Sequence, residues 1–256
     1  LSNYFNVLGF DKNKERIKEL KNFLDKNSEV SSKELKKTKL KYSTNIKDLK
    51  SSNIFIVTVP TPVTKSNQPD LKPLLEACRD IGKIILKGST VVFESTVYPG
   101  VTEEICGPQI KKYSNLTPGK DFYLGYSPER MNPGDKVHSV DKITKVVSAD
   151  CNKTKLILKK IYGRINSGKI FIAKNIKTAE AAKVSASSGW TTSYKPNLWT
   201  RFTSEQREGL SNLLNPRQSV RSSMNSLHRA CSLQRRLAET ALLVVFLCHL
   251  REVETL

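Results

Sequence analysis

Cysteine is sparse in this 256-residue chain, and the 5 that occur (Cys78, Cys106, Cys151, Cys231, Cys248) are scattered. No Cys-x-x-Cys pair or Cys/His cluster of metal-ligand spacing is present, which argues against a disulfide framework and a zinc module. A reducing cytosol and no metal are therefore expected. No basic-then-apolar leader opens the sequence. The most apolar run, Ala241 to Leu250, contains a histidine and is about half of the ~20 residues that a membrane span needs. A soluble, cytoplasmic protein without a membrane partner is the expectation. Glycine-rich turns are missing too: no Gly-x-Gly-x-x-Gly sequence occurs anywhere.

Acidic residues are outnumbered, giving a formal charge of +19 and a pI near 9.7. Such a balance ordinarily suggests nucleic acid or an anionic surface. Its distribution argues otherwise. Residues 1–183 hold 30 Lys and 4 Arg against 19 acids, a net +15, and residues 184–256 hold 1 Lys and 8 Arg against 5 acids, a net +4. The lysines are spread along helices and loops without interleaved aromatics, which reads as a solvated surface. The expected partner is an anionic small molecule rather than nucleic acid.

What the sequence does contain is organised around Thr90 to Asp135. Val91-Val92-Phe93 is a short β-branched strand ending in Glu94-Ser95-Thr96, and Phe122 to Tyr126 is a second strand followed by the rigid polar loop Ser127 to Asp135. In an open α/β sheet the ligand crevice lies beyond the carboxyl ends of strands, so Thr96 and Glu129 are placed toward one site. The alternative is an ordinary turn and an ordinary surface loop. Upstream, Phe5 to Phe10 is a strand closed by Asp11, with Ile17, Leu20 and Leu24 at helical spacing behind it. An acid there either accepts ribose hydroxyls of a dinucleotide or simply caps the helix. Ile54 to Val59 is an apolar strand stopped by Pro60-Thr61-Pro62, which fixes the backbone and turns Thr61 toward whatever lies above it.

Helices are expected over 71–86, 101–113 (with Thr102 as N-cap), 153–162 and from Ile176, and strands over 143–147 and 169–173. Cys78 falls on the apolar side of the first of these helices and reads as core. Alternating elements of this length predict an α/β fold with a doubly wound, mostly parallel sheet.

VTVPTPVTKSNQPDL, ESTVYPGVTEE and GYSPERMNPGD, in that order, resemble the nucleotide-sugar 6-dehydrogenases, the UDP-glucose/GDP-mannose dehydrogenase family. Within it they are most similar to the branch acting on UDP-N-acetylhexosamines in polysaccharide synthesis. The resemblance implies a Rossmann-like NAD-binding domain over residues 1–184, NAD as cofactor, a UDP-sugar as substrate, and homo-oligomers for full-length members. It implies cofactor contacts for Asp11, Arg16, Thr61 and Thr96, and sugar contacts for Glu129, Arg130, Met131, Asn132 and Lys183. Lys183, Glu129 and Thr96 take catalytic roles: the lysine faces developing oxyanions, and the other two face the hydrolytic water. On the residues alone Lys183 is an exposed helical lysine.

Departures from the family pattern set further expectations. Its opening strand and glycine-rich loop fall before residue 1, Ser187 stands where an asparagine belongs, and Pro133 stands where a second glutamate belongs. Neither Cys231 nor Cys248 has the Gly-Gly-His-Cys context of the family's thiol. From Ser185 onward the resemblance stops, and residues 185–256 read as a non-homologous, partly disordered tail with one helix over 237–250. A frameshift, a mis-joined reading frame or a fusion explains that change best, and an inactive fragment is expected. The alternative is a non-catalytic α/β binding module.

Overall fold

The structure is a computed structural model that describes residues 1–27, 30–62, 69–128, 144–166, 170–187 and 243–246. Its centre is an eight-stranded sheet in the order β2-β1-β8-β3-β4-β5-β6-β7. These strands are β1 (Val7–Phe10), β2 (Lys41–Ser43), β3 (Ile54–Val57), β4 (Thr90–Phe93), β5 (Tyr123–Tyr126), β6 (Lys145–Ala149), β7 (Ile170–Ile172) and β8 (Leu243–Phe246). β1, β3 and β4 are buried at every position, as their unbroken apolar runs require when helices cover both faces.

Among the described residues six α-helices complete the layers: α1 (Lys14–Lys21), α2 (Ser32–Lys37), α3 (Lys72–Gly82), α4 (Gly107–Ser114), α5 (Asn152–Gly163) and α6 (Ile176–Ser187). On one face Leu74, Cys78 and Ile81 of α3, Ile110 of α4 and Ile176 of α6 pack with Phe55, Val91 and Phe93 of the sheet. On the other face Leu158, Ile161 and Tyr162 of α5 pack with Ile54, Val92 and Val147. The doubly wound, mostly parallel α/β architecture is therefore present.

Two reversed strands, with three antiparallel pairings, break the parallel run. β6 runs against β5, with Gly125 opposite Ala149 and Tyr126 opposite Ser148. β8 runs against both its neighbours, with Leu8 and Phe55 each opposite Val245. This differs from the helix expected over Leu237–Leu250, because Leu243–Phe246 is a strand. The reason is tertiary: an apolar, β-branched four-residue run suits a pleated slot, and the slot between β1 and β3 offers unpaired backbone on both sides. The rest of 185–256 beyond α6 lies outside the described residues.

Tight packing at Gly82 makes a stability prediction. A Cβ there would stand 2.8 Å from Tyr113 Cβ and 2.9 Å from the Ile110 carbonyl oxygen. The second is backbone and cannot swing aside, so Gly82→Ala should overpack the α3–α4 contact by about 2–3 kcal/mol, against a helix-propensity gain of about 1 kcal/mol. A net loss of about 1–2 kcal/mol is expected in denaturant unfolding, and an unchanged midpoint would show that α4 can retreat.

Candidate functional site

β1, β3, β4 and β5 all point the same way, so Asp11, Thr61, Thr96 and Ser127 follow strand ends at one edge of the sheet. The turns after β3 and β4 are laced together. Thr61 Oγ1 donates to the Thr96 carbonyl at 2.6 Å, and Ser95 Oγ donates to the Val59 carbonyl at 2.5 Å. Prolines and short hydroxyl side chains permit this because they supply fixed dihedrals and local donors in place of ladder amides. Thr61 and Thr96 are fully enclosed. Yet the Thr96 hydroxyl has no hydrogen-bond partner among the described residues, an arrangement that normally points to a missing partner such as water or ligand.

Asp11 ends β1, its amide bonded to the Ser43 carbonyl. Its carboxylate accepts the Asn13 amide at 2.8 Å, while Asn13 itself caps α1. The capping alternative for Asp11 is thus taken by a neighbour. Burial pushes the Asp11 carboxyl above its ordinary value, opposed by the Asn13 amide and by Arg16. The Arg16 guanidinium lies 2.8 Å from Asp25, whose side chain is almost fully enclosed. Arg16 is thereby committed to an ion pair beside β2 as well as standing near Asp11.

Glu94, read as part of the site address, is bound inward. Its Oε1 accepts Tyr162 Oη at 2.6 Å and lies 3.3 Å from Lys145 Nζ. The same ammonium donates to the Ser127 carbonyl at 3.4 Å. Ser127 is also fixed by its amide on the Phe93 carbonyl, 3.0 Å, and by its hydroxyl on the Val146 carbonyl, 2.8 Å. The residues expected next, Glu129, Arg130, Met131 and Asn132, lie outside the described residues.

Lys183 sits partly buried on α6, one turn beyond Glu180, which sequence reasoning passed over. Glu180 is completely buried and accepts the Gly100 amide at 2.6 Å and the Thr102 amide at 3.0 Å. These amides open the helical segment that begins with a π turn over Val101–Cys106. The N-cap expected from Thr102 is therefore corrected: no side chain of the segment caps it, and Glu180 does so from α6. A carboxylate suits that place because amides and dipole both point at it. Gly100 makes the approach with φ 98°, a left-handed conformation that few other residues adopt. Burial nevertheless pushes Glu180 up to about 7, with the Thr102 and Gly100 hydrogen bonds opposing it.

No thiolate is available among the described residues at this edge. Cys78 and Cys106 are buried, and the contact with Cys78, followed by burial, pushes the Cys106 thiol far above its usual range. Cys231 and Cys248 lie outside the described residues. Among the described residues there is also no group of acidic, histidine or cysteine side chains that could hold a metal, and no helix long and apolar enough to cross a membrane.

The residues present fit part of a dinucleotide. Asp11 suits ribose hydroxyls, and the unpartnered Thr96 hydroxyl stands at the adjoining strand end. In a doubly wound sheet the place between β1 and β3 belongs to a parallel strand that feeds a phosphate-cradling turn. Here β8 fills that place in reverse, so at the site edge the chain enters this strand where a parallel strand would leave it.

Comparison with known proteins agrees with the architecture. Protein CapL of Staphylococcus aureus is 51% identical over 182 residues, which are 71% of this chain and 43% of CapL. A UDP-N-acetyl-D-glucosamine 6-dehydrogenase of Pseudomonas aeruginosa is 48% identical, over 70% of this chain and 42% of its own length. The chain thus spans less than half the length of these relatives. Among solved structures, the UDP-D-ManNAc dehydrogenase of Pyrococcus horikoshii superposes with a TM-score of 0.64 at 31% identity, over 72% of this chain and 44% of that one. Residues 2–166 match the model of the UDP-glucose/GDP-mannose dehydrogenase family, NAD binding domain. With NAD as that family's cofactor and the doubly wound sheet in place, the chain belongs to the UDP-glucose/GDP-mannose dehydrogenase family.

Proposed function

We propose that the chain is the cofactor-side portion of a dehydrogenase that oxidises the 6-hydroxymethyl group of a UDP-N-acetylhexosamine, with NAD as hydride acceptor. The observation that supports this best is the laced pair of turns carrying Thr61 and Thr96, with Asp11 on the same sheet edge. In this reading Asp11 accepts the adenosine ribose hydroxyls, and Arg16 stands beside it. Thr61 fixes the Thr96 carbonyl, leaving the Thr96 hydroxyl to cofactor or water. Glu129, Arg130, Met131, Asn132 and Lys183 meet the sugar, and Lys183 is the cation for oxyanions at the reacting carbon. The substrate assignment rests on the UDP-N-acetyl-D-glucosamine and UDP-N-acetyl-D-mannosamine dehydrogenases among the relatives. The second reading, a non-catalytic α/β binding module, is supported by the reversed β8.

Titration of the purified chain with NAD, followed by calorimetry, tests the cofactor reading. Asp11→Asn should weaken NAD about tenfold or more, since a half-buried charged acceptor becomes a mixed donor facing hydroxyls. Equal affinity in both proteins would remove Asp11 from the site. Incubation with NAD and UDP-N-acetylglucosamine, read by NADH absorbance, tests turnover. Two NADH per sugar shows an active enzyme, whereas none agrees with the inactive fragment expected from the sequence and leaves the NAD titration to decide between the cofactor-side portion and the module.

A further inference from the structure

We infer that Lys145 is a positioning residue that sets the spacing between the two candidate site turns, the one carrying Thr96 and the one leading to Glu129. The inference rests on the proposed function for its consequence and on geometry for its substance. Lys145 opens β6, which runs against β5, so its side chain returns to the ligand edge of the sheet. There it is almost fully enclosed.

Among the described residues its ammonium faces three groups from three other parts of the fold. Glu94 Oε1, just past β4, is 3.3 Å away. The Ser127 carbonyl, just past β5, is 3.4 Å away. The Tyr162 ring on α5 lies 5.1 Å away, within cation–π range. Tyr162 closes the cluster by donating its hydroxyl to Glu94 Oε1 at 2.6 Å. One buried cation therefore joins the first residue beyond β4 to the first residue beyond β5. Glu94 lies two positions before Thr96, and Ser127 lies two before Glu129.

An ion pair in this position is a poor device for stability, because the desolvation of both charges offsets most of their attraction. It is a good device for register, since a bound ammonium fixes acceptors by direction as well as distance. Nothing else among the described contacts joins Glu94 to Ser127 through side chains, whereas the backbone bond from Ser127 to Phe93 ties the two strands one residue before Glu94. Methionine at 145 keeps the stem and removes the link. Arginine keeps the charge and the donors.

The test uses the full chain with Lys145→Met, Lys145→Arg and the double change Lys145→Met/Glu94→Gln. The double variant avoids a buried carboxylate without its cation, so it stays folded where the single variant fails. Amide exchange is followed at Ser127 and at Val92 in mid-β4, alongside UDP-N-acetylglucosamine affinity. Support is a rise of about tenfold in Ser127 exchange with Val92 unchanged, in the double variant, with Lys145→Arg close to wild type. Affinity for the sugar nucleotide should fall by about the same factor. Unchanged Ser127 exchange, or an equal rise at Val92, overturns the inference. A wild-type chain that does not bind the sugar nucleotide sinks the substrate reading alone, because the exchange result still decides the role of Lys145.

Discussion

Replacing Glu180 by alanine is expected to cost the fold about 4 kcal/mol, and replacing it by glutamine is expected to remove the pH dependence that Glu180 gives the fold. The alanine estimate follows from the two buried amides, Gly100 and Thr102, that lose their acceptor, at about 1–3 kcal/mol for each unsatisfied group. The pH argument is separate. Glu180 is pushed up from 4.5 to about 7, so the folded protein holds a proton that the unfolded chain releases at lower pH. Its contribution is present below pH about 4.5 and is lost as pH rises to about 7, a fall of about 3 kcal/mol. Glutamine mimics the protonated form and does not titrate. Urea unfolding at pH 5 and pH 8 should therefore show a wild type that weakens on the alkaline side and a Glu180→Gln variant that does not. If wild type is the more stable at pH 8, then the amides of Gly100 and Thr102 hold the carboxylate charged and burial loses the contest.

The second large effect is expected at Val245. It stands opposite Leu8 on one side and Phe55 on the other, so proline there removes an amide from a strand with neighbours on both sides and places a ring in the ladder. Such a change costs about 3 kcal/mol or more. Within the sheet, β8 is the strand through which β2 and β1 reach β3. Val245→Pro should expose the amides of Leu8 and Gly9 to exchange while those of Val91 and Val92 in β4 stay protected. Loss of NAD affinity should accompany it, since Asp11 rides on β1. Undiminished protection in β1 would show that Leu8 and Phe10, which pack in the same core as Phe55 and Val57, hold the strand without β8.

The fold was legible where local pattern and tertiary demand agree. Val91–Phe93 and Ile54–Val57 are apolar at every position because both faces are covered, and periodicity reports that directly. The strand ends bearing Thr61, Thr96 and Asp11 were legible for the same reason. Helix α2 was not, although Ser31-x-x-Glu34 spells the capping box that the structure forms, because lysines around it give no apolar stripe beyond Leu35. Glu180 was hidden differently. Its partners are 78 and 80 residues away, and nothing in an alanine-rich helix marks which carboxylate turns inward. β8 was misread because a four-residue apolar run takes its conformation from the slot that receives it.

The reversal of β6 bears on how such a protein can diversify. Ser127 and Val146 are already clasped by a hydrogen bond, so the chain leaves and re-enters the sheet at neighbouring points, whatever lies between. Closing a longer excursion between fixed ends costs only about 0.6 kcal/mol for each doubling of its length. By that term alone, a change in the number of residues between Ser127 and Val146 costs the clasp little. For an engineer, that makes the clasp of Ser127 and Val146 the anchor across which a grafted sequence is tried, with the strands on either side left untouched.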